Sequence, residues 1–61
     1  MKKIDMGLYN YEITGEREAE AAQEMEKRID RLNHLPGVLY YNDELEAIRK
    51  KIAEDYGVDI R

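Results

Sequence analysis

Cysteine, serine, tryptophan and phenylalanine are all missing from this 61-residue chain, and proline and histidine occur once each. Each absence removes a class of answer. Without cysteine there is no disulfide framework, and the commonest zinc sites lose their ligands. Without serine or cysteine the usual nucleophiles are gone, and Thr14 is assigned by its position to a helix start. Carboxylates remain for acid–base chemistry, but no nucleophile–base–orienter triad can be assembled from this inventory. No enzymatic role is expected, and no cofactor motif is present. The one histidine, His34, has Asp30 a turn before it, which makes two metal ligands with no third at a matching spacing. The pair reads better as a polar His at a helix C-terminus, where the macrodipole favours its protonated form, and no metal is expected.

Long apolar runs are also missing. None approaches the ~20 residues of a membrane span. Asp5, Asn10 and Glu12 interrupt the segment behind Met1-Lys2-Lys3, so no secretory leader is expected. These features point to a cytoplasmic protein without membrane contact. Positive charge is scarce as well: ten Lys and Arg against fourteen Asp and Glu give a net charge of −4. Affinity for nucleic-acid phosphates needs clustered Lys and Arg, so nucleic acid is not the expected partner. A protein with a basic surface fits the charge better. Length adds a further limit. A chain of about 60 residues buries only ~60% of the surface its unfolded form exposes. Small scaffolds compensate with disulfides, a metal or association. Here the third device is left, so a homodimer or higher oligomer, or a partner chain, is expected.

What the chain does have is tyrosine, five of them. Tyr9 and Tyr11, Tyr40 and Tyr41, and Tyr56 lie in its most apolar segments. Tyrosine suits a place where one end of the ring is buried and the other wet. Tyr56 reads as aromatic core filler. For Tyr9, Tyr11, Tyr40 and Tyr41, core and interface are equally open, and at least one of each pair is expected to turn outward.

Along the chain, residues 3–13 alternate with the two-residue period of a strand. Ile4, Met6 and Leu8 share one parity, whereas Tyr9, Tyr11 and Ile13 share the other. The switch beside Gly7 implies either a bulge or a strand covered on both faces. Thr14 is placed to cap a long helix. In that helix Ala21, Ala22, Met25, Ile29, Leu32 and Leu35 fall within one arc, with a three, four, three spacing from Ala22 to Leu32. Pro36-Gly37 ends it as the centre of a type II turn. Val38 to Tyr41 is a short extended segment, either a strand or a connector. Asp43 with Glu46 forms a capping box for a second helix, whose stripe is Leu45, Ile48, Ile52 and Tyr56. Gly57 suits a left-handed helix end, and residues 58–61 either fray or add an edge strand.

The expected architecture is one domain over residues 1–61. It is α+β with helices dominant: strand, long helix, extended segment, and a second helix packed antiparallel on the first. Glu16, Glu20 and Glu24 stand four apart as an acidic stripe, either solvated or aimed at a basic partner. Arg28 and Arg49 border the apolar stripes, where they either lay their stems along the core or bond across an interface. The function these features favour is a small acidic protein–protein interaction module that self-associates and binds and regulates another protein, with inhibition as one form of that regulation. Its candidate partner-binding residues are Tyr9, Tyr11, Tyr40, Tyr41, Glu16, Glu20, Glu24 and Arg28.

A second reading starts from element order. A strand followed by two helices resembles the ribbon-helix-helix repressors, which implies a DNA-binding regulator with paired strands in the major groove. The strand here offers Asp5, Met6, Leu8 and Tyr9 where that family's groove-reading residues would be polar or basic. Only Lys2 and Lys3 suit phosphate contacts.

Overall fold

The alternation in the N-terminal segment is resolved by a strand folded back on its neighbour. The computed structural model describes residues 1–6 and 9–61. Within them the segment expected as one strand forms two, β1 (Lys2–Met6) and β2 (Tyr9–Thr14). They pair antiparallel, with Lys2 opposite Ile13, Ile4 opposite Tyr11 and Met6 opposite Tyr9. Residues directly opposite each other share a face of the sheet. Ile4 therefore joins Tyr11 and Ile13 on one side, although they differ in parity along the sequence. A strand covered on both faces is not needed, and the argument for a partner that rested on it falls away. The bulge expected at Gly7 and the orientation expected for Leu8 lie outside the described residues.

Residues 58–61 do not fray. Asp59–Ile60 forms β3, which pairs antiparallel with β2 to give a three-stranded sheet in the order β1-β2-β3. Ile13 stands opposite Ile60 and Thr14 opposite Asp59. Beyond the strand, Glu12 and Arg61 exchange backbone hydrogen bonds of 3.0 and 2.9 Å. The outward face carries Lys3, Asp5, Asn10, Glu12 and Thr14, all exposed. The inward face carries Ile4, Ile13 and Ile60, all buried. This alternation is that of a sheet with one side solvated.

Two sixteen-residue helices cover the inward face, α1 (Glu18–Asn33) and α2 (Tyr41–Tyr56). They form the antiparallel pair that their stripes predict. From α1, Ala21, Ala22, Met25, Ile29 and Leu32 are buried, while Leu45 and Ile52 are buried from α2. Leu35, placed on the same arc by its spacing, stays 54% exposed because α1 ends at Asn33, two residues before it. Residues 38–40 form no strand and serve as a connector.

The helix starts differ from expectation. Thr14 belongs to β2, and α1 begins after Arg17 with no side-chain cap. The strand's ladder claims Thr14 before a helix can, since it lies opposite Asp59. Helix α2 begins at Tyr41, two residues ahead of Asp43, again without a side-chain cap. The partly buried Tyr41 ring packs on the core, which extends the helix past its polar signal. The end of α2 follows the sequence closely. Gly57 sits at φ +63°, and the Val58 N–H donates to the Ala53 carbonyl at 3.1 Å, as in a Schellman motif.

Gly15 is fixed by proximity. At φ +152°, a Cβ there would lie 2.9 Å from Val58 Cγ1 and 3.3 Å from Val58 Cα. The turn leaving β2 and the chain entering β3 thus touch with no room for a methyl group. Gly15→Ala should cost ~1–3 kcal/mol, as overpacking does. Thermal unfolding followed by circular dichroism checks this. A small domain loses ~4–8 °C in Tm per kcal/mol, and an unchanged Tm would show that the two segments do not meet.

Candidate functional site

The loop between the helices forces apolar side chains into solvent. After α1, the His34 N–H donates to the Arg31 carbonyl and the Leu35 N–H to that of Leu32, so the last turn is tight. Gly37 at φ +73° then turns the chain, as the second centre of a type II turn must. Val38 and Tyr41 pack against the core and pin both ends of a short span. Between them Leu39 and Tyr40 have no inner surface to reach and are 84% and 70% exposed. With Leu35 they flank an open groove of about 340 Å³ that is floored by Leu32 and edged by Val38 and Glu44. Scattered exposed apolar residues need no explanation, but Leu35, Leu39 and Tyr40 stand together around one concavity.

The other tyrosines are committed to the fold. Tyr9 and Tyr11 are both half-buried and packed on the core. The expectation that one of them turns outward fails, because residues two apart in a strand share a face. The Tyr9 and Tyr41 rings lie 5.6 Å apart, tilted by 48°. Tyr9 donates to Asn42 Oδ1 at 3.4 Å and Tyr41 to Asn33 Oδ1, so the wet ends of both rings are held within the chain. Tyr56 packs beneath the Arg17 guanidinium, 4.6 Å from the ring centre. Within the pair Tyr40 and Tyr41 the expected division holds, with Tyr40 outward.

The acidic stripe is broken and paired. Glu16 precedes α1, so only Glu20 and Glu24 stand one turn apart on the helix. Arg17 holds Glu20 at 2.9 Å, and Arg28 holds Glu24 at 2.8 Å. Arg28 is thus partly buried along α1 with its head on a neighbouring carboxylate. Arg49 does more than its position in the sequence shows. It pairs with Glu46 and donates from Nη1 to the Ile60 carbonyl at 3.2 Å, tying β3 to α2. The N-terminal ammonium of Met1 reaches Glu18 at 2.8 Å. Neither this contact nor the Arg17–Tyr56 stacking has a sequence signature, since both join distant positions.

His34 lies 3.7 Å from Asp30 Oδ1, exposed at the end of α1. Among the described residues no three His, Cys, Asp or Glu are grouped to hold a metal ion. No helix among them is long and apolar enough to cross a membrane. In comparison with known proteins, no family model, curated protein or solved structure matches the chain.

Glu18, Glu24 and Glu46 are held below the usual carboxylate range, chiefly by hydrogen bonds from the N-terminus, Arg28 and Arg49 respectively. A carboxyl lowered in the folded state takes its proton more readily when unfolded. Its contribution is complete above the unfolded value and is lost as pH falls through the folded one. Stability should therefore hold level from neutrality to about pH 5 and decline below about pH 4. Tyr11 acts at the other end. Burial, then the nearby Glu46 charge, raises its phenol above the ordinary value. Stability present below about pH 10 should fall as pH rises through its folded pKa. Melting curves across pH, with tyrosinate absorbance, check both limbs. A flat acid limb would refute the carboxylate contribution, and a single common tyrosine titration would refute the burial of Tyr11.

Proposed function

We propose that the chain is a small acidic, cytoplasmic protein–protein interaction module that binds another protein and regulates it. The observation that carries this reading is the exposed group of Leu35, Leu39 and Tyr40 around the interhelical groove. Tyrosine is among the residues that supply most of the energy of protein interfaces when it seats in a partner's pocket, and apolar neighbours such as Leu35 and Leu39 exclude water around it. Among the described residues the outer sheet face has no equivalent, because its side chains are polar. A DNA-binding role is less well supported. The observed order is two strands, two helices and a third strand, so β1 pairs within its own hairpin. The test is a photo-crosslinking residue at position 39, compared with one at the exposed position 26 of α1. Expressed in cells, the first should give a discrete adduct with another protein and the second should not. Equal labelling at both positions, or none at either, would remove the reading.

Self-association is supported by a different observation. Among the described residues β1 has a neighbour on one side only, leaving an open edge over Lys2–Met6. Two such edges can join into one continuous sheet across a two-fold axis. Light scattering over a range of concentrations should show a two-chain mass. A mass fixed at one chain of 7.2 kDa would exclude this arrangement.

A further inference from the structure

Resting on the interaction role proposed above, we infer that the interhelical groove takes a short apolar segment bearing lysine or arginine, supplied by a basic partner protein. The groove is apolar on its floor and walls, where Leu32, Leu35, Val38, Leu39 and Tyr40 lie, and it carries one carboxylate, that of Glu44. Asp43 lines the adjoining hollow beside Leu39 and Tyr40. Neither acid has an ion-pair partner among the described residues. Glu16, Glu26 and Glu54 are likewise without an ion pair among the described residues, but of these acids only Glu44 and Asp43 line the groove or the hollow beside it. Free negative charge thus borders the exposed apolar patch, on a chain whose net charge is −4.

Size and charge together exclude a second copy as the occupant. A stable interface buries about 800 Å² on each partner. The whole chain exposes 4496 Å², so a dimer formed here would have to cover nearly a fifth of it. Three exposed side chains around one groove fall well short. A two-fold dimer would also bring the Asp43 and Glu44 carboxylates of both copies together, a like-charge contact that opposes binding. A single helical turn or two of a partner, with apolar anchors on one face and a cation beside them, meets both conditions. The anchors fill the groove, and Glu44 sets the orientation and rejects acidic segments.

The experiment uses two labelled synthetic peptides read by fluorescence anisotropy. One is an amphipathic leucine/lysine helix, and the other is the same sequence with glutamate for lysine. The folded chain should bind the lysine peptide and not its acidic counterpart. Leu39→Asp, at a side chain already in water, should keep the circular dichroism spectrum and weaken binding at least about tenfold, as loss of a central anchor does. Glu44→Lys should weaken it about fivefold, the upper range for a surface ion pair. Glu54→Lys, with the same change in net charge on the exposed side of α2, should leave binding nearly unchanged. Equal loss in the two lysine variants, or indifference to Leu39→Asp, would reduce the affinity to general charge attraction and overturn the proposal. Leu39-dependent binding of both peptides would overturn the basic partner and leave the interaction role standing. Binding of neither peptide, with no adduct from position 39, would remove both. A two-chain mass that Leu39→Asp abolishes would give the groove to a second copy instead.

Discussion

The structure depends on closing the C-terminus of the chain onto its N-terminal hairpin. β2 is the strand with neighbours on both sides, and one of them is made of the last residues of the chain. Bringing the two ends together encloses a loop of roughly fifty residues, whose logarithmic closure cost is about 3 kcal/mol. The reciprocal backbone bonds of Glu12 and Arg61 do not offset this alone, at a net ~1 kcal/mol each. Burial decides it. Val58 and Ile60 are both nearly inaccessible, and each contributes ~1.5–3 kcal/mol by leaving water. The Arg49 bond to the Ile60 carbonyl then fixes β3 against α2. Once β3 is docked, the sheet has a width that both helices can cover.

The helical half of this arrangement is plain in the sequence and the sheet half is not, for a physical reason. Spacing of three and four residues from Ala22 to Leu32 marks a buried helix face by itself, because that face is formed within one element. A strand's face is defined only with its pairing partner. The parity switch between Ile4 and Tyr11 fits either a bulge or a reversal of the chain, and pairing alone separates them. The same competition explains Thr14 and Asp43. Both carry the chemistry of a helix cap, yet a strand ladder claims the first and the packing of Tyr41 extends the helix past the second. Local polar preferences are worth about 1 kcal/mol. Burying an aromatic ring outweighs them.

The candidate site was only partly visible for a related reason. Of the four tyrosines left open between core and interface, Tyr40 faces solvent, whereas Tyr9 and Tyr11 are half-buried because folding the hairpin turns both toward the core. Leu35 reads as core from its helical arc, and Leu39 reads only as part of a short extended segment. Their exposure follows from where α1 stops and where Val38 and Tyr41 attach, neither of which is a property of the residues themselves. Arg28 and Glu24 show the reverse case, in which an i,i+4 spacing predicts a pair and the pair forms.

The position of the groove reflects the size of the chain. A three-stranded sheet under two sixteen-residue helices leaves one inward face and two helix stripes, and these satisfy each other. The sheet's outer face is polar, so it offers little apolar surface to a partner. The helices' outer faces carry ion pairs within single helices, such as Lys51 with Asp55 at 3.3 Å. Among the described residues, Met1 apart, the large apolar side chains that meet no inner partner are grouped at the interhelical loop. Moving Leu39 or Tyr40 inward would require a further layer for them to pack against. An apolar loop in water carries a standing free-energy cost, and burial against another protein removes it. The proposed role accounts for this cost through the same burial of apolar surface that fills the core.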